Sequence, residues 1–137
     1  MRWRTTPLRC MVSIAEGAIA RWLTPAYAAT AQGAADASTL RETLLSNDAD
    51  AYVASCEAVA GIDFRQSNQG IRVPTLVIAG SLDDATPLAM SLEIARSIVP
   101  ARLASIEAAH ISAVERPRDF ARLLRDFWEG VRPDGPG

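Results

Sequence analysis

Two places in the chain carry side chains able to move a proton. Asp83 and Asp84 stand side by side in Gly80-Ser81-Leu82-Asp83-Asp84-Ala85-Thr86-Pro87, just beyond an apolar run. His110, the single histidine, closes Ala108-Ala109-His110, 27 residues after Asp83. A carboxylate beside an imidazole holds it in one tautomer and stabilises its protonated form. The other ring nitrogen is then left as a base. Each residue also has a plainer role. An aspartate in such a turn bonds nearby backbone amides, and a lone histidine often serves structure alone. Spacing by itself leaves both carboxylates eligible.

The elements around these residues decide whether they can meet. Thr75-Leu76-Val77-Ile78-Ala79-Gly80 does not alternate and is bounded by Pro74 and Gly80, which predicts a strand covered on both faces, as in a parallel sheet. A helix is expected from about Pro87 to Pro100, with Leu88, Leu92, Ala95 and Ile98 or Val99 as its stripe. A second strand follows at Ala101–Ile106. The last helix begins at Pro117 and shows a face of Phe120, Leu123, Leu124, Phe127 and Trp128. Strand, helix, strand, helix is a crossover unit. Asp83 and His110 then both lie past carboxyl ends of strands, where open α/β sheets build their sites.

The first half of the chain reads as helical. Ile14, Ala18 and Trp22, with Val12, Ala15 and Ile19, recur at helical spacing over Met11–Leu23, and Thr24-Pro25 ends the run. Residues 28–36 are small and weakly patterned, so a loop is expected there. Helices follow at Ser38–Ser46, and from an Asn47 or Asp48 cap to Gly61, the latter facing inward with Tyr52, Val53, Cys56, Val59 and Ala60. Residues 62–72 are polar and turn-like.

Composition excludes several functions. The 137 residues are 49% hydrophobic, with 14 basic and 16 acidic side chains, which leaves no basic footprint for nucleic acid or an anionic membrane. No uncharged apolar run reaches the ~18 residues of a membrane span. All basic residues are arginine, a coding bias of the kind found in GC-rich bacteria. Cys10 and Cys56 lie far apart and only one histidine is present, so a dedicated Cys/His metal site is not expected and two buried free thiols are. Arg2, Arg4, Arg9 and Ala26-Tyr27-Ala28 imitate a secretory signal, but Glu16 and Arg21 break its apolar core. A cytoplasmic location is the expectation.

Residues 71–117, from Ile-Arg-Val-Pro-Thr-Leu-Val-Ile-Ala-Gly to Val-Glu-Arg-Pro, resemble the closing segment of α/β-hydrolases. The nearer resemblance is to 3-oxoadipate enol-lactonases. Ala20-Arg21-Trp22-Leu23-Thr24-Pro25 and Tyr52–Val59 look like their cap sequences, and the likeness covers roughly residues 11–129. It implies the C-terminal portion of an α/β-hydrolase fold with a helical cap segment and an incomplete sheet of about two parallel strands. The divisions would be an unassigned 1–10, a cap-like 11–68, a core segment 69–130 and a frayed tail 131–137. The resemblance makes Asp83 the triad acid, Asp84 a turn residue, His110 the base and Trp22 a wall of the substrate pocket. It implies no metal and no organic cofactor. The substrate would be a small lactone or ester, opened to 3-oxoadipate in the protocatechuate branch of bacterial aromatic degradation.

The departure from that family is as informative. No Gly-x-Ser-x-Gly occurs in these residues, hence no nucleophile elbow, and the segment with the oxyanion donors has no counterpart. A histidine without a hydroxyl to deprotonate has nothing to activate. The chain alone is therefore expected to be inactive: a truncated enzyme, or one completed by a separately encoded N-terminal half. The alternative is a non-catalytic remnant or interaction module of another α/β-hydrolase, esterase-like or haloperoxidase-like.

Overall fold

The computed structural model describes residues 7–131, with side chains from Met11 onward. It divides into two compact units, Met1–Asp63 and Phe64–Gly137. The side chain of Cys10 and the tail beyond Val131 lie outside the described residues, as do residues 1–6.

Among the described residues the first unit is four helices: α1 (Pro7–Trp22), α2 (Pro25–Ala28), α3 (Ala31–Leu45) and α4 (Ala49–Ala60). Met11, Ala15 and Ala18 share the buried face of α1, and Leu23 is buried just past its end. Small residues there let α3 approach, and Leu44 fills the joint with Ala15 and Ala18 while Trp22, Leu45 and Tyr52 pack around it. Each junction is built by a cap. Thr24 leaves the helical region at ψ 147° and its Oγ1 accepts from Tyr27 N, with Pro25 opening α2. Thr30 Oγ1 accepts from Gly33 N at 2.9 Å, and an Asp48 carboxylate oxygen accepts from Ala51 N at 2.8 Å. Each such cap contributes about 1 kcal/mol. The exposed Glu16–Arg41 ion pair adds roughly 0–1 kcal/mol.

Three expectations fail in this unit. The segment 28–36 is not a loop, because α2 extends to Ala28 and α3 begins at Ala31. Its alanines have high helix propensity and Thr30 caps them, so the helix forms without an amphipathic pattern. The N-terminal residues 7–10 also belong to α1. Lastly, Val53, Cys56, Val59 and Ala60 are exposed, not core-facing. Only Tyr52 of that face packs against the Ala15–Ala18–Leu44 cluster, so α4 touches its unit near one end. Cys56 is thus an exposed thiol.

The second unit holds a 3-10 turn at Ser67–Gly70, then β1 (Thr75–Gly80), α5 (Leu88–Ser97), β2 (Ala101–Ile106), α6 (Ser112–Glu115) and α7 (Pro117–Val131). β1 and β2 pair in parallel, Thr75 opposite Ala101 through Gly80 opposite Ile106, with α5 as the crossover. Both strands fall on the runs that predict them. Their burial differs from the expectation: Ala79, Gly80 and Ile106 are buried, while Leu76, Val77 and Ile78 are half-buried. The reason is that among the described residues no third strand pairs with either edge. The apolar face of α7 is split in the same way. Phe120, Leu123 and Phe127 are half-buried, whereas Leu124 and Trp128 are exposed. No helix among the described residues is long and apolar enough to cross a membrane.

Candidate active site

The end of β1 and the turn after β2 run in backbone contact. Ser81 N donates to Ile106 O at 2.8 Å and Leu82 N to Ala108 O at 3.0 Å, prolonging the strand pairing by two residues. A Cβ on Gly80 would collide with the carbonyl oxygens of Ala108 and Ala109. Glycine is required there for close approach rather than for an unusual φ. Asp83 lies three residues beyond Gly80 and His110 two beyond Ala108, so this contact delivers both side chains to one place.

Asp83 and His110 meet. Asp83 Oδ2 lies 2.9 Å from His110 Nδ1. The Asp83 side chain is 6% exposed and the imidazole 35%. The other carboxylate oxygen, Oδ1, accepts from Ala85 N at 2.8 Å and Thr86 N at 2.9 Å. Thr86 Oγ1 donates to Oδ2 at 2.6 Å. Burial pushes the Asp83 carboxyl up, but the Thr86 hydroxyl and amide, His110 and the Ala85 amide together hold it down to about 2. Asp83 is therefore ionised at neutral pH and can only accept.

That fixes the tautomer. An ionised Oδ2 needs a donor, so Nδ1 carries the hydrogen and Nε2 the free lone pair. Thr86 Oγ1 lies 3.2 Å from Nδ1 and has given its own hydrogen to Oδ2, so towards the ring it accepts. Nε2 is then the group able to take a proton from a hydroxyl.

Asp84, by contrast, is exposed. Trp22 belongs to the helical unit, half-buried against Ala15, Ala18 and Leu44. Two residues of the site escape the sequence reading. Thr86 stands three residues after Asp83, a spacing at which a hydroxyl reaches back to a carboxylate. Glu115, 3% exposed, accepts from Ala109 N beside the histidine. Nothing in a Val-Glu-Arg-Pro string marks that carboxylate as buried.

No protein-family model matches the chain. The 3-oxoadipate enol-lactonase 2 of Acinetobacter baylyi is 36% identical over 110 residues, which is 80% of this chain and 40% of that protein. The crystal structure of the enol-lactonase from Burkholderia xenovorans superposes with a TM-score of 0.82 and 33% identity, covering 87% of this chain and 45% of that one. A hydrolase from Pseudomonas aeruginosa superposes with a TM-score of 0.78 and 28% identity, over 92% of this chain and 51% of that one. The chain belongs to the α/β-hydrolase superfamily. This α/β-hydrolase chain spans 40% of its A. baylyi relative and resembles the C-terminal half of an enol-lactonase. Its helices and two parallel strands are the C-terminal portion of the fold, with a helical cap segment and an incomplete sheet.

Proposed function

We propose that Asp83 and His110 are the acid and base of a serine-hydrolase triad that opens a small lactone or ester. The observation that carries this reading is the 2.9 Å contact between an ionised Asp83 Oδ2 and His110 Nδ1. The serine comes from polypeptide outside these 137 residues, in the same chain or in a separately encoded half.

In the completed site His110 Nε2 takes the proton of the serine hydroxyl as its oxygen attacks the lactone carbonyl carbon. The carbonyl electrons move to oxygen, and return as the ring C–O bond breaks. The departing enol oxygen takes the proton back from Nε2. Water, deprotonated by the same nitrogen, then cleaves the acyl-serine ester and restores the hydroxyl. Throughout, Asp83 stays ionised and stabilises the imidazolium each time it forms. The enol-lactonases similar to this chain support 3-oxoadipate enol-lactone as substrate and 3-oxoadipate as product. That would put the activity in cytoplasmic bacterial degradation of aromatic compounds.

The test is enol-lactone hydrolysis by the chain joined to the N-terminal part of the A. baylyi lactonase. His110→Ala should abolish turnover and Asp84→Ala should leave it. Turnover that survives His110→Ala sinks the reading.

A further inference from the structure

Glu115 is a buried carboxylate that the proton chemistry leaves unused. Its Oε2 accepts from Ala109 N at 3.1 Å. The next residue, Arg116, donates from Nε to Glu107 O at 3.1 Å. Between these two, Ala108 O accepts from Leu82 N. Each of the three residues before His110 therefore has at least one backbone group tied down.

The chain doubles back to make this possible. Ile111 follows His110, and α6 runs for one turn, Ser112–Glu115, returning Glu115 to Ala109 six residues earlier. A buried carboxylate is costly unless it is hydrogen-bonded, and here it is satisfied by a backbone amide beside the histidine. We propose that Glu115 is a positioning residue, which with Arg116 holds the Glu107–Ala109 turn so that His110 Nδ1 stays on Asp83 Oδ2. This rests on the acid–base reading of that pair. Misplacing a catalytic group by 1 Å can cost about 10²-fold in rate, which is the effect such a clamp prevents.

His110 is the single histidine, so its ring resonances in the full chain need no assignment. Long-range proton–nitrogen NMR reads its tautomer, and hydrogen exchange of Ala109 N–H reads the clamp. In Glu115→Ala, Ala109 exchange should quicken at least tenfold and His110 should become a mixture of tautomers, while the β1–β2 amides stay protected. Glu115→Gln keeps an acceptor oxygen and should match the parent chain. If Glu115→Ala does not fold, Arg116→Met at the neighbouring position carries the test, with a mixed tautomer expected. An unchanged Ala109 exchange rate and tautomer in folded Glu115→Ala would overturn the clamp. So would an unchanged tautomer in Arg116→Met, or a Glu115→Gln chain as disturbed as Glu115→Ala. A parent chain without the Nδ1–H tautomer would remove the acid–base reading and the clamp together, whereas the other outcomes remove the clamp alone.

Discussion

Asp83 Oδ2 and His110 Nδ1 lie 2.9 Å apart across 27 residues of chain, while Asp83 Oδ1 holds the amides of Ala85 and Thr86. One carboxylate thus makes its own turn and orients the ring. The turn contacts and the ring contact are not rivals here, since the two amides take Oδ1 while Oδ2 serves both the Thr86 hydroxyl and the ring. Fixing Oδ1 on two amides removes the freedom that Oδ2 would otherwise lose on meeting the imidazole.

Asp83→Asn should keep the turn and spoil the chemistry. An asparagine oxygen can still accept from Ala85 and Thr86, which leaves an NH2 group facing Nδ1. That group donates, so the ring must put its hydrogen on Nε2 and lose the base. Turnover in the completed enzyme should fall by about 10⁴-fold, the loss expected when a triad histidine is held in the wrong tautomer. Steady-state lactone hydrolysis checks this, and a fall below tenfold would contradict it.

The depressed Asp83 carboxyl also predicts an acid limb in stability. Its unfolded value is 3.8 and its folded value about 2. The unfolded chain therefore binds the proton first as pH falls. Above about pH 4 the ionised, hydrogen-bonded Asp83 contributes in full, about 2 kcal/mol, and the contribution disappears as pH falls through 2. Denaturant unfolding between pH 6 and pH 2 should lose this increment in the parent chain. It should be missing from Asp83→Asn at every pH, and Asp84→Asn should behave as the parent.

Thr86 offers a test of the hydroxyl that grips Asp83. Thr86→Val preserves shape but removes the 2.6 Å donor to Oδ2. A hydrogen bond to a charged group contributes about 1.5–3 kcal/mol, and the half-open setting favours the lower end. Thr86→Val should therefore destabilise by about 1–2 kcal/mol, and Thr86→Ser should recover most of it. Chemical denaturation of the three chains decides between them. A loss in Thr86→Ser with none in Thr86→Val would mean that the methyl group, not the hydroxyl, holds the turn.

How much of this was legible in the sequence depended on where the signal came from. The unbroken apolar run Thr75–Gly80, bounded by Pro74 and Gly80, marked a strand although its covering on both faces did not follow, and an Asn47 or Asp48 cap, of which the structure uses Asp48, marked the ends of α4 together with Gly61. Likewise, their places beyond strand ends brought His110 towards the Asp83-Asp84 turn, and the resemblance selected Asp83 of the two, the one that meets the ring. The start of α3 was hidden because alanine propensity and a Thr30 cap hold it, neither of which leaves a periodic trace. The exposure of Val53 and Val59 was unreadable for another reason. Hydrophobic spacing reports which residues share a face, but not whether anything packs on it. Glu115 was invisible for the converse reason, since a carboxylate in a polar string gives no sign that a backbone amide will bury it.

Gly17 and Gly33 should respond to alanine in opposite directions although both sit inside helices. Alanine normally gains about 1 kcal/mol over glycine in a helix interior, through reduced freedom of the unfolded chain. At Gly17, exposed on α1, an added Cβ meets nothing within 4 Å, so Gly17→Ala should stabilise by about 0.5–1 kcal/mol. Gly33 is buried in the first turn of α3, where the same carbon would run into the carbonyl of Tyr27 and the Cα of Ala28. Those are backbone atoms, fixed by the Thr24 and Thr30 caps on either side, and cannot rotate away. Overpacking of this kind costs about 1–3 kcal/mol, which outweighs the propensity gain. Thermal melts of the two variants should therefore move to either side of the parent, Gly17→Ala upward and Gly33→Ala downward. A Gly33→Ala chain at or above the parent midpoint would mean that the α2–α3 corner opens more easily than its caps imply.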